Sequence, residues 1–108
     1  MYGDLETAKK YWKLFEFETT KVDKKLCNKG CFVSHVTLVS DGGGAADAIL
    51  RDGHDTGGET KITLSATTSG RDNRPYSMPV HFRKGLFVDV GSNVKAVEVQ
   101  FLIDKEKD

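Results

Sequence analysis

Cys31-Phe-Val-Ser-His-Val-Thr-Leu-Val-Ser40, then Asp41-Gly-Gly-Gly44, then Ala45-Ala-Asp-Ala-Ile-Leu-Arg-Asp52, is the stretch whose reading decides the fold. A second glycine-rich break, Gly53 to Gly58, leads into Thr60-Lys-Ile-Thr-Leu-Ser-Ala66. In the first run Phe32, Ser34, Val36, Leu38 and Ser40 alternate with Cys31, Val33, His35, Thr37 and Val39. A period of two, rich in β-branched residues and bounded by glycine and aspartate clusters, is the pattern of strands joined by turns. Glycine suits the breaks because, lacking a Cβ, it tolerates positive φ. Residues 31–66 therefore read as three consecutive antiparallel strands.

Working outward toward the N-terminus, Trp12-Lys-Leu-Phe-Glu-Phe-Glu-Thr-Thr20 reads as a first strand that opens at Tyr11. Its apolar residues, Tyr11, Trp12, Leu14, Phe15 and Phe17, are divided between both faces. Such a strand is covered on two sides, by its own core and by another chain, or is an aromatic edge tucked under the N-terminal segment. Residues 1–10 form a short helix, with Leu5 and Ala8 near one face and Asp4 as cap, or an extended arm. Val22 to Leu26 is a lysine-rich connecting piece before the Asn28-Lys29-Gly30 turn.

Toward the C-terminus, Thr67 to Pro75 reads as a long polar loop in which Arg71 and Arg74, around Asp72 and Asn73, form a solvated contact surface. Tyr76 to Phe82 is a strand with Met78, Val80 and Phe82 inward and His81 on the surface. Pro79 donates no ladder hydrogen bond and so marks an edge position or a bulge. Leu86–Val90 and Val94–Ile103 are the last strands. In the final one Val97, Val99, Phe101 and Ile103 share a face opposite Ala96, Glu98, Gln100 and Leu102, and residues 104–108 form a solvated tail. About seven short strands make an all-β domain over residues 11–103, an antiparallel β-sandwich or a jelly-roll-like barrel.

Composition narrows the function classes. A chain of 108 residues makes one domain with a modest core. Sixteen basic and sixteen acidic residues cancel to zero net charge, without the basic excess of a nucleic-acid binder. That balance leaves association with other subunits unopposed. The opening residues lack an apolar run of signal-peptide length, and no stretch approaches the roughly 20 apolar residues of a membrane span. A protein outside the secretory route, with no membrane partner, is expected. Cys27 and Cys31, four residues apart, are then expected as reduced thiols.

Candidate chemistry is sparse. Asp41 to Gly44 is too short, and lacks the lysine-serine ending, for a phosphate-binding loop. In Asp52-Gly-His-Asp-Thr-Gly-Gly-Glu59, the oxygens of Asp52, Asp55 and Glu59 suit calcium and His54 suits a transition metal. The spacing misses the EF-hand pattern, and the same residues are ordinary turn formers, so no metal and no cofactor is expected. His35, His54 and His81 are scattered, no serine sits in a Gly-x-Ser-x-Gly elbow, and neither cysteine carries a catalytic signature. A non-enzyme is the expectation.

Several turn-and-strand motifs recur in a fixed order: Leu26-Cys-Asn-Lys-Gly-Cys-Phe-Val-Ser-His-Val-Thr-Leu38, Ala48-Ile-Leu-Arg-Asp-Gly53, Thr56-Gly-Gly58, Pro79-Val-His-Phe-Arg-Lys-Gly-Leu-Phe-Val-Asp-Val90 and Val97-Glu-Val-Gln-Phe101. In this order the chain resembles a group of small β-rich virion proteins of tailed bacteriophages, over roughly residues 26 to 103. It departs from them in its two cysteines and its 67–75 loop. The resemblance implies a non-enzymatic virion component made in the host cytoplasm. It would be a capsid decoration protein that self-associates, as a trimer, and binds the major capsid protein. A tail or neck position is the alternative within that class. Contacts are expected through Tyr11, Trp12, Leu14, Phe15, Phe17, Arg71, Arg74 and Tyr76. The rival from another class is a glycan- or cell-surface-binding module built on Tyr76, His54 and the 52–59 loop.

Overall fold

The computed structural model describes residues 15–103. Tyr11, Trp12 and Leu14, the segment 1–10 and the tail 104–108 lie outside the described residues. Eight strands follow one another: β1 (Phe15–Thr20), β2 (Lys24–Cys27), β3 (Cys31–Ser40), β4 (Ala46–Asp52), β5 (Glu59–Ala66), β6 (Arg71–Phe82), β7 (Leu86–Val90) and β8 (Val94–Ile103). No helix occurs among the described residues.

The strands form two four-stranded antiparallel sheets, ordered β1-β8-β3-β6 and β2-β7-β4-β5. The pairs β1·β8, β2·β7, β3·β6 and β4·β5 are those of one long antiparallel ribbon rolled onto itself. Rolling adds the pairs β3·β8 and β4·β7. This is the eight-stranded jelly-roll order, so the all-β sandwich expected from the sequence is the fold. The core between the sheets holds Val33, Val36, Leu38, Phe82, Val97, Val99 and Phe101 from the first sheet. Ala48, Leu50, Ile62, Leu64, Leu86 and Val88 meet them from the second. Each large aliphatic or aromatic side chain buried here contributes about 1.5–3 kcal/mol.

Several local expectations are corrected. There are eight strands rather than seven, because Lys24–Cys27, read as a connecting piece, pairs with β7. Residues 31–66 do hold three strands, but β3 and β4 belong to opposite sheets, so the Asp41–Gly44 link passes from one sheet to the other. The 67–75 loop is shorter than expected. Strand β6 starts at Arg71, because its backbone pairs with Val39 through His35 despite its polar side chains.

The alternation in β3 breaks once, at Ser34. Val33 pairs with Phe101 and His35 with the very next residue, Gln100, leaving Ser34 as an extra residue. Cys31 and Val33 therefore share the inward side with Val36 and Leu38, and Phe32 turns outward. Opposite the same point, β6 bulges: its pairing with β3 jumps from Pro75 to Val80. Pro79 thus lies on both an edge strand and a bulge. Met78, expected inward, is 82% exposed, while Val80 is half-buried and Phe82 buried.

Candidate functional site

Cross-strand register says what lies on each outward side of the sandwich; on the second sheet Ile49 and Phe87 are half-buried beside Asp89 and Arg51. On the second sheet Arg51 pairs with Asp89 at 2.9 Å and also donates to Gly58 O and Thr60 Oγ1. Lys61, Thr63 and Ser65 extend that polar surface along β5.

On the first sheet the residues paired with inward Val97, Val99 and Phe101 are Thr20, Glu18 and Glu16. Alternation therefore turns Phe15, Phe17 and Thr19 outward. Register then lines up one row across all four strands, with Phe15 opposite Leu102, Leu102 opposite Phe32 and Phe32 opposite His81. The rings of Phe32 and His81 stack, so the histidine expected on the surface is half-buried. A second row holds Phe17, Gln100 and His35. Beside it His35 Nε2 and the Thr37 hydroxyl both donate to Asn73 Oδ1, at 2.5 and 2.7 Å. Phe17 is 64% exposed, and a hollow of about 390 Å³ opens among Phe15, Glu16, Phe17 and Gln100. Phe15, half-buried, and Phe17 thus both turn outward from the core.

Phe32, Leu102, Gln100 and Met78 are missing from the sequence-based site. Leu102 carried a signal, as an apolar residue on the otherwise small and polar face of β8. Phe32 carried none, because the bulge at Ser34 reverses its side.

Arg74 and Tyr76 interact with each other, whereas Arg71 faces away from them. Asp72 and Arg74 pair with Leu38 and Val36, which places them on the inward side of an edge strand. Arg74 grips Asp72 through two hydrogen bonds of 2.7 and 2.9 Å, and Asp72 also accepts the Ser65 N–H of β5. Burial alone would raise the Asp72 carboxyl; the Arg74 and Ser65 hydrogen bonds outweigh it and hold the group below its usual value. Across the molecule Glu18 and Lys24, inward residues of edge strands β1 and β2, meet at 3.7 Å. Both open sides of the sandwich are thus closed by inward charges, which also discourage stray edge pairing. Arg71 is exposed on the outward side, and Tyr76 packs on the core.

The 52–59 loop is a structural clasp. His54 Nε2 lies 2.8 Å from both Asn28 O and Lys84 O, so its N–H ties the β2–β3 and β6–β7 turns together. Buried Asp52 accepts the Lys84 N–H at 2.8 Å. Desolvation pushes its carboxyl up, but backbone donors at Lys84, Arg83 and Gly85 prevail and lower it. Asp55 accepts the Gly57 N–H in an ordinary turn, and Glu59 is exposed. Among the described residues no group of three or more His, Cys, Asp or Glu side chains is arranged to hold a metal ion. Cys27 and Cys31 are buried free thiols nearby. Burial first, and the neighbouring Cys27 second, push the Cys31 thiol strongly up, which disfavours the reactive thiolate.

No family model matches the chain, and no curated protein matches it. Among solved structures it is similar to the nucleoplasmin-like N-terminal domain of Drosophila FKBP39, at 18% identity and a TM-score of 0.49, over 84% of this chain and 89% of that one. It is also similar to RmlC from Streptococcus suis, solved in complex with dTDP-D-xylose, at 12% identity and a TM-score of 0.35. That likeness covers 94% of this chain and 50% of the other.

Proposed function

We propose that this domain is a non-enzymatic assembly module of a phage virion, a capsid decoration protein that self-associates as a trimer and binds the major capsid protein. The observation that carries the reading is the outward side of the first sheet. There Phe15, Leu102 and Phe32 make one apolar row, with Phe17 exposed beside it. The opposite outward side holds the Arg51–Asp89 ion pair beside half-buried Ile49 and Phe87, with polar β5 side chains along its edge. Apolar residues on both sides of one sheet are the mark of a sheet packed twice, once on its own core and once on a partner. Support also comes from the jelly-roll order, which is used by viral capsid and lectin domains alike.

The side chains that suggest chemistry are occupied with holding turns together: His54 on two carbonyls, Asp52 on the Lys84 N–H, Asp72 on Ser65. That favours the assembly role over the glycan-binding rival, whose residues would be His54, Tyr76 and the 52–59 loop. Many weak contacts repeated over a lattice give a decoration protein its avidity.

The test is co-sedimentation of the purified full chain with shells assembled from the major capsid protein. Binding that saturates at a fixed ratio to capsid subunits is expected. Absence of binding, together with a saturable signal on a glycan array, would replace this reading with its rival.

A further inference from the structure

At the clasp end of the sandwich two turns lie side by side, 28–30 between β2 and β3 and 83–85 between β6 and β7. The residues at their roots are paired, Cys27 with Leu86 and Cys31 with Phe82. All four are buried. Strand β2 belongs to the second sheet and β3 to the first, so the 28–30 turn carries the chain across the core. The two cysteines therefore enter one corner of the core from opposite sheets, and their thiols lie within hydrogen-bonding reach of each other. His54 holds Asn28 O from the 52–59 loop, and Gly85 packs against Cys27 O too closely to admit a Cβ. The backbone that brings the sulfurs together is thus fixed from outside the turn.

We infer that Cys27 and Cys31 form a redox latch, a dithiol that closes into a disulfide joining the two sheets when the chain meets an oxidising thiol–disulfide pool. The inference is independent of the assembly role proposed above. The oxidant is a low-molecular-weight disulfide. Cys27, 7% exposed against 0% for Cys31, meets it first. Cys27 loses its proton to solvent, its sulfur attacks one sulfur of the oxidant, and the thiolate expelled takes a proton back. The Cys31 sulfur then attacks Cys27 Sγ in the mixed disulfide and expels a second thiolate, which receives the Cys31 proton. Two protein thiols and one small disulfide become one protein disulfide and two small thiols, a two-electron exchange. The Cys27 S–H donates to Lys29 O at 3.1 Å, and its proton is the one released first, so closure strands no buried donor. The bond adds a covalent tie where hydrogen bonds to His54 and Asp52 otherwise hold the two turns. In a reducing compartment the pair stays open, in keeping with the free thiols expected from the sequence.

The test equilibrates the wild-type full chain with graded ratios of oxidised to reduced glutathione, quenches in acid, and alkylates free thiols in urea before mass spectrometry. Under oxidising ratios the expected product is a single chain lighter by two hydrogens, with no thiol left to alkylate, and dithiothreitol should reverse it. Closing this short loop should raise the melting temperature by about 5–10 °C. By linkage, half-closure of the folded chain should fall at a glutathione balance roughly thirtyfold more reducing than half-closure of the chain held in urea. Thiols that stay open to alkylation at every ratio, a mixed disulfide with glutathione that goes no further, or a bond between chains would overturn the latch. So would half-closure at the same balance with and without urea, or a closed form that melts below the open one.

Discussion

The rings of Phe32 and His81 lie face to face, with centroids 4.4 Å apart and planes 11° apart, on the side of the first sheet that turns away from the core. Stacked aromatic pairs contribute about 0.5–1.5 kcal/mol beyond the area they bury. A double-mutant cycle with Phe32→Ala and His81→Ala, followed by urea unfolding, should return a coupling of that size. A coupling near zero would mean that the row is held by something other than mutual stacking.

Acid should unfold this protein through Asp52 and Asp72. Both carboxyls are held below their ordinary value of 3.8 in the folded state. The unfolded chain therefore binds protons first as pH falls, so stability is full above about pH 4 and is lost progressively below it. Asp52→Ala should flatten that acid limb. It should also cost about 1–3 kcal/mol at neutral pH, because the Lys84 N–H loses its acceptor, whereas Asp52→Asn should recover part of the loss. Urea titrations at a series of pH values check both effects.

Gly85 sits where the clasp is tightest. A Cβ there would approach Cys27 O and His54 Cδ2 to 2.7 Å and Gly53 O to 2.9 Å. Two of those atoms are backbone and cannot swing aside, so Gly85→Ala should destabilise the fold by about 1–3 kcal/mol through overpacking. Thermal melting of the variant measures the loss.

Asp72 guards the β5–β6 side of the sandwich by accepting the Ser65 N–H. Its ion pair with half-exposed Arg74 is worth little, about 0–1 kcal/mol after solvent screening. Arg74→Ala should therefore change stability little. Asp72→Ala should speed hydrogen exchange at the Ser65 amide and lower solubility by uncovering a strand edge. Equal exchange rates in the two variants would contradict that division of roles.

Much of this architecture was legible from alternation alone. Val97, Val99 and Phe101 on one face of β8 and the glycine-bounded strands β3, β4 and β5 are local patterns, and local patterns survive into the fold. Three features were hidden because they depend on distant partners. Strand β2 has four residues, two of them lysine, and exists because β7 offers a ladder. The polar start of β6 is a strand because β3 lies beside it, with Asp72 and Arg74 spending their charge on each other. Ser34 reverses the sides of β3 through one unpaired residue, which put Phe32 on the wrong face and hid the apolar row. Of the site itself, Phe15 and Phe17 were readable as apolar residues that a single core does not need.

The central claim is that the outward side of the first sheet is covered by another copy of the chain. Sedimentation velocity on the full chain, across a wide range of protein concentrations, tests it most directly. A single closed oligomer that dissociates on dilution, and fails to form when Phe17 is replaced by aspartate, is the predicted result. A sedimentation coefficient that stays at the monomer value at every concentration would contradict it.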